Sequence, residues 1–385
     1  MRKSVNESWM RGRFTKWACS AGIFTASVTV LPFTRETDAA SSNRGLPIYR
    51  GKPIEVIDMH MHPGRYEDMG PIGKAFLRRT LPGFLPDSFK DLSLGLVAKM
   101  IFDPYGMIGG IKSECESAQV TMCGLFAVYA PETWGVTTNE RVSAWLDDPR
   151  NRDSKGKPFF FGLASVSMAD WPEKEAAALS DLRTGLKHPL MRGVKLAFIH
   201  NSIPLDDARY DSIYQVAEEF DAPVYHHVGS SPLRKLVDFS SEGEKRSYLA
   251  SYDPSHLEQA IASHPNLRFI LGHVGFDFNK EGYDFTPEVY ALAAKYSNVY
   301  LEISGFGTPF HDPKGEIMEM VLKSIKDRRL IDRVLFGSDG PTVPGGAKAY
   351  IKSTLKAMDK VGYTADEAET VLSRNAAKLF KLDKI

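Results

Sequence analysis

The sequence predicts a single α/β domain built as a parallel (β/α)8 barrel. Three observations predict it: eight short β-rich runs alternate with helical patterns from Pro53 onward, polar residues recur at the same end of several runs, and no Gly-rich phosphate loop follows the first. The runs are Ile54–Asp58, Val120–Phe126, Phe159–Ala164, Gly193–Phe198, Pro223–His227, Leu267–Leu271, Val299–Ile303 and Arg333–Gly337. Helical stretches lie between them, such as Tyr210–Phe220, Pro254–Ser263, Pro287–Ala294 and Lys314–Ile325, several opened by Pro or Asp as helix starts prefer. Eight repeats in about 330 residues suit a barrel with insertions. An open doubly wound sheet is the competitor, and a Gly-rich loop after the first strand would favour it.

The chain of 385 residues is long enough to bury a substantial core. Hydrophobic residues at 43% and charged residues at 25% argue against disorder and against a membrane-embedded body. Lys plus Arg and Asp plus Glu both number 48, so there is no basic footprint for nucleic acid. The expected partners are a small-molecule substrate and, at most, a second copy in a homodimer. Cys19, Cys115 and Cys123 are too few and too unevenly spaced for a disulfide framework, so Cys115 and Cys123 read as buried thiols before they read as a bridge.

Residues 1–45 differ from the rest. Arg2, Lys3, Arg11, Arg13 and Lys16 face one acid, Glu7, and an uncharged run from Trp17 to Thr34 follows. Basic, apolar and then small residues in that order match an export signal, which would place the mature chain outside the cytoplasm without a membrane span; the alternatives are a disordered tail or a misassigned start codon, with the chain cytoplasmic. Arg11-Gly-Arg-Phe-Thr-Lys16 has the look of a twin-arginine signal with Gly in the second Arg position. Residues 46–385 then form the barrel. Between its first two strands, Pro63 to about Gly110 is rich in Gly, Pro and aromatics, and at the C-terminal face of a barrel such an excursion reads as a lid. Arg141 to Pro158 reads as a polar, solvated connection.

The chemistry concentrates at strand ends. In Ile57-Asp-Met-His-Met-His-Pro63, His60 and His62 lie two apart, so pleat alternation sends both rings to one side. Taken alone, that pair is equally compatible with surface or packed histidines. Histidines also end the fifth and sixth runs, at Tyr225-His-His-Val-Gly229 and Leu271-Gly-His-Val-Gly275, and an aspartate ends the eighth, at Gly337-Ser-Asp-Gly-Pro341. Core packing does not account for polar groups gathered there, whereas histidine nitrogens with one carboxylate bind a borderline divalent metal and leave room for water or substrate.

With these motifs the chain resembles the amidohydrolase superfamily, in the branch that includes aminocarboxymuconate-semialdehyde decarboxylase-like proteins. The resemblance runs from about Ile54 to Leu382 and includes the closing Val371-Leu-Ser-Arg-Asn-Ala-Ala-Lys-Leu-Phe380, similar to that branch's terminal helix. It implies one divalent ion on His60, His62, His227 and Asp339, with His273 as a catalytic acid/base or polarising group and Asp339 as the proton carrier. Zn2+ is the default for such a set, and Mn2+, Fe2+ or Co2+ bind similar ones; some relatives hydrolyse lactones without a metal. The branch holds both hydrolases and non-oxidative decarboxylases. Hydrolysis of a lactone, ester or amide is the leading expectation, decarboxylation of an aromatic or unsaturated acid the alternative, and a catalytically inactive binding barrel the third.

Other residues carry weaker expectations. Only one of His226 and His227 can point inward, and the resemblance selects His227, leaving His226 against a helix. Lys195 matches a lysine of many relatives, where it would touch substrate or serve as a modified ligand; a buried ion pair is an equal alternative. Asp58 shares the parity of His60 and His62 and could orient them from beneath, and Glu302 ends a strand where relatives often carry Asp. Arg65, Arg78, Arg79 and Arg234 fall in or near mouth loops, where a guanidinium can clamp a carboxylate. His188, His200, His256, His264 and His311 lie outside the motif.

Overall fold

The computed structural model describes residues 45–384, apart from 107–108, 309–310 and 342–343. The expected export signal therefore lies almost wholly outside the described residues. Among those described, no helix is long and apolar enough to cross a membrane.

Eight parallel strands form the body: β1 (Ile57–Met61), β2 (Met122–Phe126), β3 (Phe160–Ala164), β4 (Met191–Leu196), β5 (Val224–His227), β6 (Phe269–Gly272), β7 (Val299–Ile303) and β8 (Val334–Phe336). They are hydrogen bonded in chain order. Met61, the last residue of β1, bridges Gly340 just past the end of β8 in parallel, so the sheet curls into a nearly closed barrel. Every residue of β1, β2, β3, β5, β6 and β8 is buried, as a parallel sheet covered on both faces requires.

The helices are α1 (Pro71–Thr80), α2 (Asp87–Ile101), α3 (Ile111–Ser117), α4 (Asn139–Asp147), α5 (Glu175–Leu186), α6 (Tyr210–Glu219), α7 (Glu242–Ala250), α8 (Glu258–Ser263), α9 (Thr286–Lys295), α10 (Glu316–Asp327), α11 (Gly346–Val361), α12 (Ala365–Glu369) and α13 (Asn375–Leu379). Apolar spacing decides which face each buries. In α10, Met318, Val321, Leu322 and Ile325 recur at i, i+3, i+4 and i+7 and all are buried.

The barrel interior is a packed core. Met59, Phe161, Leu163, Tyr225, Ile270 and Leu335 pack with Leu379 and Phe380 of the closing segment, so the chain's own C-terminal end plugs the bottom of the barrel. Asn375 fixes that plug by donating from Nδ2 to the carbonyls of Ile331 and Val334.

Three expectations need correction. The first strand begins at Ile57 and carries His60 inside it, because residues 54–56 follow a small hairpin pairing Ile48–Tyr49 with Lys52–Pro53 and join the ladder late. Phe198, expected to end the fourth strand, opens a 310 turn (Phe198–Asn201). The polar connection from Arg141 contains most of α4: the Thr138 side chain accepts from the Arg141 amide, and Val142 and Leu146 bury one face. A short hairpin, Val128–Ala130 with Gly135–Thr137, also follows β2 and was not expected.

Candidate metal centre and active site

The strand ends at the C-terminal side of the barrel bring the motif residues together. His60 sits on β1 and His62 just beyond it, with their Nε2 atoms 2.9 Å apart. Asp339 follows β8 and places Oδ1 3.2 Å from His60 Nε2 and 3.3 Å from His62 Nε2. The backbone locks this arrangement: the His62 amide donates to the Gly340 carbonyl, and the Gly340 amide donates to that of His60. Asp339 itself adopts a left-handed backbone, φ 59°, a conformation found where surrounding structure dictates it.

His227 ends β5 and His273 follows β6. His273 Nε2 lies 3.2 Å from His227 Nδ1, which leaves His227 Nε2 buried without a hydrogen-bond partner among the described residues. One donor atom each from His60, His273 and Asp339 lies within 4.8 Å of the others. That close trio contains His273 where the sequence reading has His227, and His227 stands directly behind His273. Backbone strain holds this corner: His273 and Val274 are left-handed at φ 56° and 44°, the second an unusual value for a β-branched residue.

Glu302 organises the cluster. Its Oε1 is 2.9 Å from His60 Nδ1, while Oε2 accepts from the His273 amide, the Ser304 hydroxyl and the Tyr225 hydroxyl. An ionised carboxylate only accepts, so His60 donates from Nδ1 and turns the Nε2 lone pair toward His62 and Asp339. Two glycines make this possible. A methyl group at Gly337 would overlap Glu302 and His60, and one at Gly272 would overlap the Tyr225 hydroxyl.

Electrostatics follow from burial. Desolvation drives the His60 and His227 imidazoles well below their ordinary range and lowers His62, so all three favour the neutral form that a metal requires. Burial would raise the Asp339 carboxyl, but His60, His62 and His273 outweigh it and hold the group well below the usual carboxylate range. The donor set fits a divalent cation: a lone pair on His60 and a carboxylate oxygen on Asp339 face one another at 3.2 Å, an approach that a cation or a shared proton must bridge.

The remaining candidates are placed as follows. Asp58 is a buried residue of β1 at its seam with β8, its Oδ1 accepts from the backbone amides of His60 and Ser338, and desolvation raises it to about 7. Lys195 is buried in the barrel without an ion pair among the described residues, where the paired reading does not hold. Its Nζ lies 3.6 Å from the centre of the Tyr225 ring and 4.7 Å from that of Phe126, and burial lowers it to about 7. Arg65 and Arg78 are engaged by Asp68 and Asp91. His226 points outward to the Tyr214 hydroxyl of α6. Cys115 and Cys123 are buried free thiols.

Three neighbours escaped the sequence reading, and a fourth, His200, is one it sets outside the motif. Tyr225 shares the pleat parity of His227, and Ser304 follows β7 directly; both signals were available. Trp134 stacks on His62 at 6.2 Å from the hairpin after β2, and buried His200, lowered to about 3 by desolvation, lies 5.8 Å from the His227 ring. Neither carries a local pattern that marks it.

Comparison with known proteins agrees with this architecture. A 2-pyrone-4,6-dicarboxylic acid hydrolase assigned in Acinetobacter baumannii, with citric acid bound, superposes with a TM-score of 0.52 at 16% identity, over 85% of this chain and 100% of that one. A 5-carboxyvanillate decarboxylase from Novosphingobium aromaticivorans, complexed with manganese and 4-hydroxy-3-methoxy-5-nitrobenzoic acid, does so with a TM-score of 0.52 at 18% identity, over 85% and 96%. Protein fluG of Emericella nidulans is 25% identical over 167 residues, 40% of this chain, which spans only 18% of that protein's length. The amidohydrolase family model matches residues 137–382, from the end of the hairpin after β2 to the C-terminal plug. Joined to the eight-stranded barrel, that match establishes that the chain belongs to the amidohydrolase family.

Proposed function

We propose that the protein is a metal-dependent hydrolase that cleaves a lactone, ester or amide bond of a small organic substrate. His60, His62, His227 and Asp339 would hold one divalent ion, Zn2+ first among the candidates, and His273 would polarise the substrate or transfer a proton. The observation that carries this reading is the convergence of His60, His62 and Asp339 within 3.3 Å at the barrel mouth. A bound cation would supply Lewis-acid polarisation of the carbonyl oxygen and acidify the attacking water.

The chain's own residues supply the rest. The Asp339 side chain is 32% exposed, against 18% for His62 and none for His60, so the carboxylate is the member most open to water. As the oxygen–carbon bond forms, Asp339 takes the proton of the water. As the carbon–oxygen or carbon–nitrogen bond breaks, Asp339 returns that proton to the leaving atom. Glu302 and Ser304 fix the orientation of His60 and His273, so the groups meet substrate preorganised. The basic-then-apolar leader of residues 1–45 favours hydrolysis, since an exported enzyme meets degradable external compounds.

A second reading, decarboxylation of an aromatic or unsaturated acid, is favoured by Lys195, whose Nζ stands in the barrel without a hydrogen-bond partner among the described residues and, when protonated, would suit a carboxylate. Its structural relative, the 5-carboxyvanillate decarboxylase, acts on such an acid. The deciding experiment is metal analysis of the purified chain followed by product mass on panels of lactones and aromatic acids. Addition of water supports the hydrolase, and release of carbon dioxide sinks it. In the same preparation His227→Ala is expected to lose the ion, while His273→Ala retains it and loses turnover by about 100-fold or more; the reverse pattern would exchange the two roles.

A further inference from the structure

We infer that Arg234, on the loop after β5, is an anion subsite beside the metal centre, and that the substrate places there a carboxylate which takes no part in the bond that breaks. This deepens the proposed function and rests on its reading of the barrel mouth as the active site. Arg65 and Arg78 are already engaged, by Asp68 at 2.8 Å and Asp91 at 2.6 Å. Arg234 is not. Among the described residues it forms no ion pair, its Nε is buried without an acceptor, and its one side-chain hydrogen bond is long, 3.4 Å from Nη1 to the Ser202 hydroxyl. Glu281, a carboxylate packed against the same loop, accepts instead from the Leu236 amide at 3.0 Å. A buried donor left without an acceptor costs free energy, which a bound anion would recover.

The fold nevertheless holds this position firmly. The Arg234 carbonyl accepts from the Tyr248 hydroxyl of α7 at 3.1 Å and from Asn279 Nδ2 at 2.7 Å. Asn279 is fixed in turn, because its amide donates to Ser230 Oγ and Asp277 Oδ1 and its Nδ2 also donates to the Ser231 carbonyl. The backbone is therefore anchored while the side chain is left unpaired, and what it offers is a planar fork of donors that takes the two oxygens of a carboxylate together. Position ties that fork to the metal centre. The loop leaves β5 directly after His227, and Ser202 caps the 310 turn that carries His200, whose ring lies 5.8 Å from that of His227. The Arg234 charge acts on the His200 ring, as do those of Lys195 and Asp339, which sets the guanidinium on the same side of the barrel as the cluster. The His200 ring, on a residue 5% exposed, makes no hydrogen bond among the described residues, so a ligand reaching from the metal centre toward Arg234 passes an imidazole free to bond with it. A few placed polar groups in such a mouth fix a ligand's orientation.

Calorimetric titration of the chelator-treated full chain with benzoate tests this without turnover, with benzamide as the neutral control. Benzoate is expected to bind and benzamide is not. Arg234→Met should weaken benzoate by about tenfold or more, and Arg234→Lys by less, since an ammonium keeps the charge but loses the fork. The same dependence on Arg234 should persist in a Lys195→Met background, where the other unpaired amine is gone. Arg234→Met should also unfold in urea no earlier than the parent, because it removes a buried donor that had no acceptor. Absence of benzoate binding, equal binding of benzamide, or benzoate affinity indifferent to Arg234→Met overturns the inference. So does a loss of stability in Arg234→Met that Glu281→Gln reproduces, which would make the guanidinium a structural partner of Glu281. A chain that binds benzoate through Arg234 but hydrolyses no ester, lactone or amide upholds the subsite and removes the hydrolase reading alone.

Discussion

Glu302 joins more of the cluster than any residue the motif names: one oxygen faces His60, and the other accepts from His273, Ser304 and Tyr225. Glu302→Gln keeps the volume but removes the charge that fixes the His60 tautomer, so divalent-metal affinity should fall by about 10–100-fold while the fold persists. Competition with a chelating dye measures it, and an unchanged affinity would show that Glu302 does not orient the ligand. Lys195 makes a separate case through pH. Burial lowers its ammonium to about 7, far below an unfolded lysine, so between those values only the unfolded chain holds the proton. Folding is therefore penalised increasingly as pH falls from the ordinary lysine range, and the penalty is complete below about 7. Contact with the Tyr225 ring offsets part of it. In metal-free protein, Lys195→Met should gain on the order of 3 kcal/mol in urea unfolding near neutrality and almost nothing at about pH 10; a gain independent of pH would mean that packing, not charge, is relieved. At this scale the sequence was most legible. His60, His62, His227, His273 and Asp339 announce themselves because polar residues interrupt apolar strands at one end. Trp134 and His200 do not, because they reach the cluster from a hairpin and a 310 turn whose positions depend on the folded barrel.

At the scale of elements, the weakest join in the barrel is the seam between β1 and β8. The two strands share only the bridge and backbone hydrogen bonds around Gly340, and Asp58 ties them by accepting from the amides of His60 and Ser338. Asp58→Ala leaves both buried amides without that acceptor and should destabilise the chain by about 2–4 kcal/mol. Hydrogen exchange should quicken at β1 and β8 before it does at β5 and β6; uniform exchange across the sheet would remove Asp58 from that role. The elements themselves were partly legible. Helices such as α6 and α10 follow from apolar spacing and appear within two residues of their expected starts. The start of α4 was overlooked because charged residues surround Val142 and Leu146, so two buried positions on a short helix were outweighed by the polarity of the rest. The β1 boundary slipped because extended residues before it, such as Ile54 and Val56, are as apolar and as buried as the strand.

For the whole molecule, the eight parallel strands and the C-terminal plug make one continuous interior, from Leu379 and Phe380 at the bottom to Tyr225 beneath the histidines. A cation held by His60, His62 and Asp339 would link β1 to β8 across the seam, where direct pairing is sparse, and a ligand that binds only the folded state stabilises it by mass action. At free metal about 1,000 times the dissociation constant, that linkage is worth about 4 kcal/mol, enough to raise the melting temperature by several degrees in a chain of this length. Calorimetry of chelator-treated and Zn2+-reloaded protein should therefore show a reversible shift that depends on metal concentration. His60→Ala/His62→Ala should melt at one temperature in both states, because the remaining donors cannot bridge the seam. If the double variant responds to metal as strongly as the parent, the ion binds elsewhere, and the cluster at the barrel mouth is held by shared protons instead.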